Sequence, residues 1–294
     1  MSAVGTLALL AVLAGLPQAP ANPELLSVSA RPGPDSALIA FAHERPDSLR
    51  NALHARLVDA AADSQDAEPL AAAERLAQAY AVAWRDSFLV RQVARFEAWT
   101  PAERRAKIAA DSLRLAGNVA LGRAGAAAAL RDWRESLRRC GALGDSAGMG
   151  AALGNIGAAF NGSGELDSAA VYFERARAIA ERIGDHRTDG NAVGALASVH
   201  ADRGEPRQAA ELYARASELR ALSGDGRGEA ADRNNLGLMS QLLGDLDGAL
   251  RAFSDALAVN RRAGRDEPAA LNLVNLGNLA GLEGDYPAAG AHYR

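Results

Sequence analysis

A pattern that returns every 40 residues without slipping constrains this chain more than any other feature. Gly144, Gly184, Gly224 and Gly264 form one series, and Gly164, Gly204, Gly244 and Gly284 a second, offset by half a period. Trp133, Phe173, Tyr213, Phe253 and Tyr293 keep the same step, as do Ala129, Ala169, Ala209, Ala249 and Ala289. A unit of this size cannot bury its apolar face alone, so stacked neighbours must do it. The pattern predicts an all-α solenoid of antiparallel helical hairpins, with function on the surface that the stack creates.

Composition agrees with helices. Of the 294 residues 49% are hydrophobic but only 5% aromatic, whereas strands favour aromatic and β-branched residues. The net charge of -4 and the lack of a basic stripe give no footprint for nucleic acid. Cys140 is the only cysteine, which excludes an intrachain disulfide and a multi-thiolate zinc site. The histidines His43, His54, His186, His200 and His292 show no H-x-x-x-H spacing. No metal, cofactor or catalytic residue is expected. Cys140 lies beside Arg138 and Arg139, which could lower its pKa, but no histidine base stands near it in sequence. Gly224–Gly228 looks glycine-rich yet follows no strand, so it reads as an inter-repeat loop.

Residues 1–21 read as a signal peptide or an apolar leader. Thr6–Leu16 is too short to span a bilayer, small residues follow it, and no Lys or Arg precedes it. A cytoplasmic location is preferred, with export if 1–21 is a signal. Residues 22–45 read as a linker or irregular lead-in. The N-terminal helical region is 46–105, with Asp47 or Ser48 capping a helix over Leu49–Ala61, then Glu68–Trp84 and Phe88–Phe96. Thr100-Pro101-Ala102-Glu103 is a capping box that opens a long helix, with Trp99 as a hydrophobic staple. Residues 106–294 hold five repeats, the last incomplete.

Each unit splits into a helix A and a helix B. In the second, Ala147–Phe160 and Leu166–Arg182 flank a turn at Gly162–Glu165, and Gly184 supplies the left-handed residue that ends helix B. Gly117, Gly157, Gly237 and Gly277 share one place in helix A, with Ala197 the exception. A mid-helix glycine costs about 1 kcal/mol against alanine. Its recurrence predicts the close approach of helix B's aromatic ring. Ile156, Leu196, Leu236 and Leu276 are the knobs beside it, and the alanine series shares helix B's inner face with the aromatics.

These residues resemble the tetratricopeptide repeat. The second unit meets its pattern with Ile156, Gly157, Phe160, Gly164, Ala169, Phe173 and Ala176; the fourth with Leu236, Gly237, Gly244, Ala249, Phe253 and Ala256. The third departs at Ala197 and His200, while the fifth keeps Leu276, Gly277, Gly284, Ala289 and Tyr293. The standard repeat is near ~34 residues, so about six are added per unit, expected in helix B and the exit loop. That resembles the long repeats of kinesin light chains and of bacterial proteins carrying CHAT (caspase-like) protease domains.

The resemblance implies a right-handed superhelix whose A helices line a concave groove for a peptide or protein partner. Groove candidates are Asn118, Asn155, Asn191, Asn234, Asn235, Asn275, Asn278 and Arg233. An amide offers donor and acceptor to an extended chain, though the same asparagines could instead bond one another. Two alternatives stand beside a binding scaffold. One is the regulatory or sensor region of a larger CHAT-type protease, inactive by itself. The other is self-association through the incomplete C-terminal end, since Arg294 directly follows Tyr293.

Overall fold

The computed structural model describes residues 36–292, and every described element is a helix. The leader at 1–21, most of the expected linker and Tyr293 lie outside the described residues. In chain order the helices are α1 Ser36–Glu44, α2 Pro46–Ala62, α3 Glu68–Trp84, α4 Phe88–Ala98, α5 Pro101–Ala124, α6 Ala126–Ala142 and α7 Ser146–Gly162. They continue as α8 Leu166–Ile183, α9 His186–Asp202, α10 Pro206–Leu222, α11 Gly226–Leu242, α12 Leu246–Arg262, α13 Asp266–Leu282 and α14 Tyr286–His292. Ser36–Glu44 is thus helical where an irregular lead-in is expected.

From α7 onward the arithmetic of the repeat is plain. Helices of 17 residues alternate with short turns, and α8 is one residue longer. The extra residues lengthen both helices of the hairpin, and the exit loop stays as short as the inner turn. Gly226–Gly228 is therefore the first turn of α11, and only Ser223–Asp225 connects. Helix ends close in one way throughout. Gly184 has φ 67°, and the Asp185 N–H donates to Ala180 O at 2.9 Å, the backbone bond of a Schellman motif. Three A helices are then capped by aspartates: Asp145, Asp185 and Asp225 accept from the N–H of Gly148, Thr188 and Gly228, whereas α13 has Arg265 there and no side-chain cap. The capping box at Thr100 and Glu103 is present. Trp99 meets Phe96 edge-on and its carbonyl accepts from Arg104, so it does not form a staple. Asp47 and Ser48 sit inside α2, whose N-cap is Arg45.

The core repeats with the sequence. Trp133, Phe173, Tyr213 and Phe253 are all buried. Each shares a cluster with the knob of the following unit: Trp133 with Ile156, Phe173 with Leu196, Tyr213 with Leu236, Phe253 with Leu276. The recurrent glycine makes room for the ring. A Cβ on Gly157 would lie 2.8 Å from Phe173, on Gly237 2.5 Å from Phe253, and on Gly117 2.4 Å from Trp133. Ala197 fits because its partner is Tyr213, whose hydroxyl is held 3.0 Å from Ser198 Oγ.

The N-terminal helices are not a separate body. Leu49, Leu53, Leu76, Tyr80, Val93 and Phe96 form a core to which Ile108, Ala147 and Ile183 of the repeats also belong. Its outer residues meet three successive inter-repeat turns. Arg95 donates to Gly144 O at 2.6 Å, Arg91 to Ile183 O at 3.1 Å, and Tyr80 Oη to Ser223 O at 2.5 Å. The Trp84 ring occupies the space where Gly224 would carry a Cβ. A 40-residue step in the turns thus fixes where these side chains must fall.

Candidate binding groove

Successive A helices touch along the stack, α5 on α7, α7 on α9 and α9 on α11, and their exposed faces form one continuous wall. On this wall a cavity of about 310 Å³ opens between α7 and α9. Gly150, Ala151, Gly154, Ala158 and Ala195 make its floor, and Arg114, Asn155, Arg187, Thr188 and Asn191 its polar part. Gly154 has no heavy atom within 4 Å of where its Cβ would stand, unlike Gly157 one turn on, which faces the core.

Asn155 and Asn191 line this cavity, while Asn118 lies behind it. The Asn118 Oδ1 accepts from Asn155 Nδ2 at 2.8 Å and from the Trp133 indole at 3.0 Å. A second amide ladder runs farther along: Asn234 Oδ1 accepts from Asn275 Nδ2 at 2.8 Å and Asn272 Nδ2 at 3.0 Å, and Asn272 Oδ1 accepts from Asn260. Asn235 bonds the Tyr213 hydroxyl. Asn278 keeps the register of Asn118 four repeats along the stack. These asparagines therefore spend part of their capacity on each other, fixing one A helix against the next. Arg233 pairs with Glu229 at 2.9 Å on its own helix, at the register of Val193, away from the groove cavity.

Buried charge escapes the sequence reading. Arg220, 4% exposed, reaches Asp225 Oδ2 at 2.9 Å and Asp232 Oδ2 at 2.7 Å. Gly190, Gly194 and Gly228 wall its path; a Cβ on Gly228 would fall 1.8 Å from its Nη1. Burial drives the Asp232 carboxyl up to about 7, because one guanidinium serves two acids. Asp225 is held below the usual carboxylate range against its own burial, chiefly by Arg187 and Arg220. Arg187, which lines the groove, also meets Asp47 of α2 at 2.7 Å. Lys107 makes a matching cluster in the first unit, 2.8 Å from both Asp111 and Asp145. One signal was available: Arg220 stands at the register of Cys140, Ala180 and Asn260, and Asp232 at that of Ala152 and Ala192.

Cys140 is buried in the Lys107 cluster, and burial with Asp145 pushes its thiol up to about 11. The lowered pKa that Arg138 and Arg139 suggest does not arise, because both side chains turn to Glu135. His200 Nδ1 faces Glu205 at the hairpin turn. No described helix is long and apolar enough to cross a membrane.

Residues 148–221 match the family model described as Tetratricopeptide repeat. No curated protein matches the chain. Among solved structures, BtubC (BKLC) from P. vanneervenii is 20% identical with a TM-score of 0.51, covering 88% of this chain and 89% of that one. A Rap protein complexed with competence and sporulation factor is 15% identical, TM-score 0.52, over 84% of this chain and 74% of its own. A signal transduction ATPase with numerous domains from Pyrococcus horikoshii, with a tetratricopeptide repeat sensor, is 14% identical, TM-score 0.54, over 87% and 37%. At these identities the likeness is one of fold. The hairpin geometry, the glycine–aromatic packing and the family match agree: residues 148–221 carry tetratricopeptide repeats, and the described helices around them stack with the same 40-residue step as a solenoid of hairpins.

Proposed function

We propose that the A-helix wall binds an extended segment of a partner protein, and that the chain works as a binding scaffold. The observation that carries this reading is the cavity of about 310 Å³ with a floor of glycine and alanine. Side chains have been withheld there, so a ligand backbone or side chain can approach the helices closely. Asn155 spends its Nδ2 on Asn118, which leaves its Oδ1 to accept from a ligand N–H. Asn191, in the same cavity, supplies a second amide. The solved Rap protein with its bound competence and sporulation factor supports the reading by likeness of fold.

Displayed random peptides selected on the wild-type protein test it, with Gly154→Leu as counter-target. The new side chain enters open space, so folding is retained while the cavity is filled. Selected peptides should bind the variant roughly tenfold or more weakly, the ratio for one lost hydrogen bond plus its apolar contacts. Peptides that bind both proteins equally, or no enrichment at all, would remove the groove from consideration.

A further inference from the structure

A second cavity, of about 270 Å³, lies between the B helices α8 and α10 on the side of α9 away from the groove. Val193, Leu196, Leu212 and Leu219 form an apolar floor, with Glu174, Arg177, Glu181, Asp189 and Arg215 around it. Four of these charges are already matched. Arg177 lies 2.9 Å from Glu174 and 3.8 Å from Glu181, and Arg215 lies 3.2 Å from Glu218. Asp189 is different. It is only 8% exposed, it faces this cavity, and its carboxylate has no hydrogen bond or ion pair among the described residues. The amino end of α9 offers it only a fraction of a positive charge. Burial, reinforced by Glu181, outweighs the attraction of Arg177, Arg215 and His186 and pushes its carboxyl above the usual range.

The next repeat supplies a comparison. At the same register stands Glu229, also largely buried, and it is paired with Arg233 one helical turn along. The residue one turn from Asp189 is Val193, so the third unit keeps the acid but has no base one turn along, and Arg215 and His186 act on it only at longer range. Elsewhere the register holds Ala109, Met149 and Ala269. An apolar residue, or an acid with an internal partner, satisfies this place in the four other units. In the third an acid remains above an apolar hollow.

We propose that this hollow is a docking site for a lysine side chain of a partner protein. The ammonium pairs with the Asp189 carboxylate, and the methylene stem lies on Val193, Leu196, Leu212 and Leu219. Lysine suits the site better than arginine because a single unmatched carboxylate is a point acceptor, and the guanidinium fork seeks two parallel bonds. A long apolar stem ending in a compact charge also matches an apolar floor with one acid at its edge.

Methyl NMR of the whole chain, titrated with Nα-acetyl-lysine methylamide, tests the proposal. Saturating shifts are expected at Val193, Leu196, Leu212 and Leu219. They should weaken roughly tenfold or more in Asp189→Asn and with the Nε-acetylated ligand, as for a lost hydrogen bond to a charged group. Asp189→Asn and Asp189→Val should fold at least as stably as wild type, because the burial of this carboxylate outweighs the attraction of its basic neighbours. Equal binding by Asp189→Asn, an absence of saturation, or a marked loss of stability in Asp189→Val would overturn the assignment. Tighter binding of the free diamine putrescine than of the blocked lysine would overturn the protein-borne source.

Discussion

Arg220→Ala is the sharpest probe of how the third and fourth repeats hold together. The guanidinium is buried and 2.9 and 2.7 Å from the carboxylates of Asp225 and Asp232, so its loss strands Asp232 and leaves Asp225 only Arg187 and the Gly228 N–H. Breaking a buried ion cluster from one side costs about 3–5 kcal/mol, while arginine and alanine differ little in helix propensity, about 0.2 kcal/mol. The packing of the stem against Gly190 and Gly228 is lost as well, so the upper half of that range is expected. The cost should depend on pH. The folded Asp232 carboxyl titrates near 7, above its unfolded value, so its ionisation removes stability as pH rises from the ordinary carboxylate range through about 7. Without Arg220 that carboxyl rises further, so the variant keeps losing stability above pH 7, where the wild type has levelled off. Arg220→Ala with Asp232→Ala copies the junction one repeat earlier, where Ala180 and Ala192 hold these registers, and should recover part of the loss. Urea unfolding followed by circular dichroism at pH 5 and pH 8 measures all three proteins. A single variant within about 1 kcal/mol of wild type at pH 8, below any cost for a broken buried pair, would refute the reasoning.

Two glycines of like appearance should behave in opposite ways. Gly154→Ala enters open space and gains helix propensity, about 1 kcal/mol of stabilisation, whereas Gly237→Ala meets Phe253 and should come out neutral to about 2 kcal/mol destabilising, overpacking offset by the same gain. Thermal melts of the pair decide it, and a stabilised Gly237→Ala would contradict the packing. Cys140, with its thiol pushed up to about 11 and buried, should ignore a thiol reagent at pH 8 until the chain is unfolded; fast native labelling would count against its burial. Tyr80→Phe deletes the hydroxyl that accepts from Arg50 and donates to Ser223 O, and should cost about 1–3 kcal/mol and raise amide exchange in the N-terminal helices first. Uniform exchange changes across the repeats would speak against that docking.

The repeat was legible because its determinants are local or nearest-neighbour. Glycine at a left-handed position, aspartate before a helix, and an aromatic four residues after alanine each announce themselves within one unit, and recurrence every 40 residues multiplies the signal. The glycine at the register of Gly157 was readable for the same reason: a costly residue that returns must serve a contact that returns. The groove was legible only as a face. Which asparagines point into its cavity and which bond one another depends on rotamers and on helix spacing, and no pattern in the chain distinguishes Asn155 from Asn275.

Sequence by itself determined the hairpins, their turns, their caps and the order in which they stack. Tertiary structure alone decided how Tyr80, Trp84, Arg91 and Arg95 settle on three successive turns, and which acids share Arg220. It also left Asp189 above an apolar hollow with no hydrogen bond or ion pair among the described residues. The physical reason is range. Periodic contacts are encoded once and read many times, whereas a buried charge or a docked helix depends on groups far apart in the chain, whose encounter exists only after the solenoid has formed.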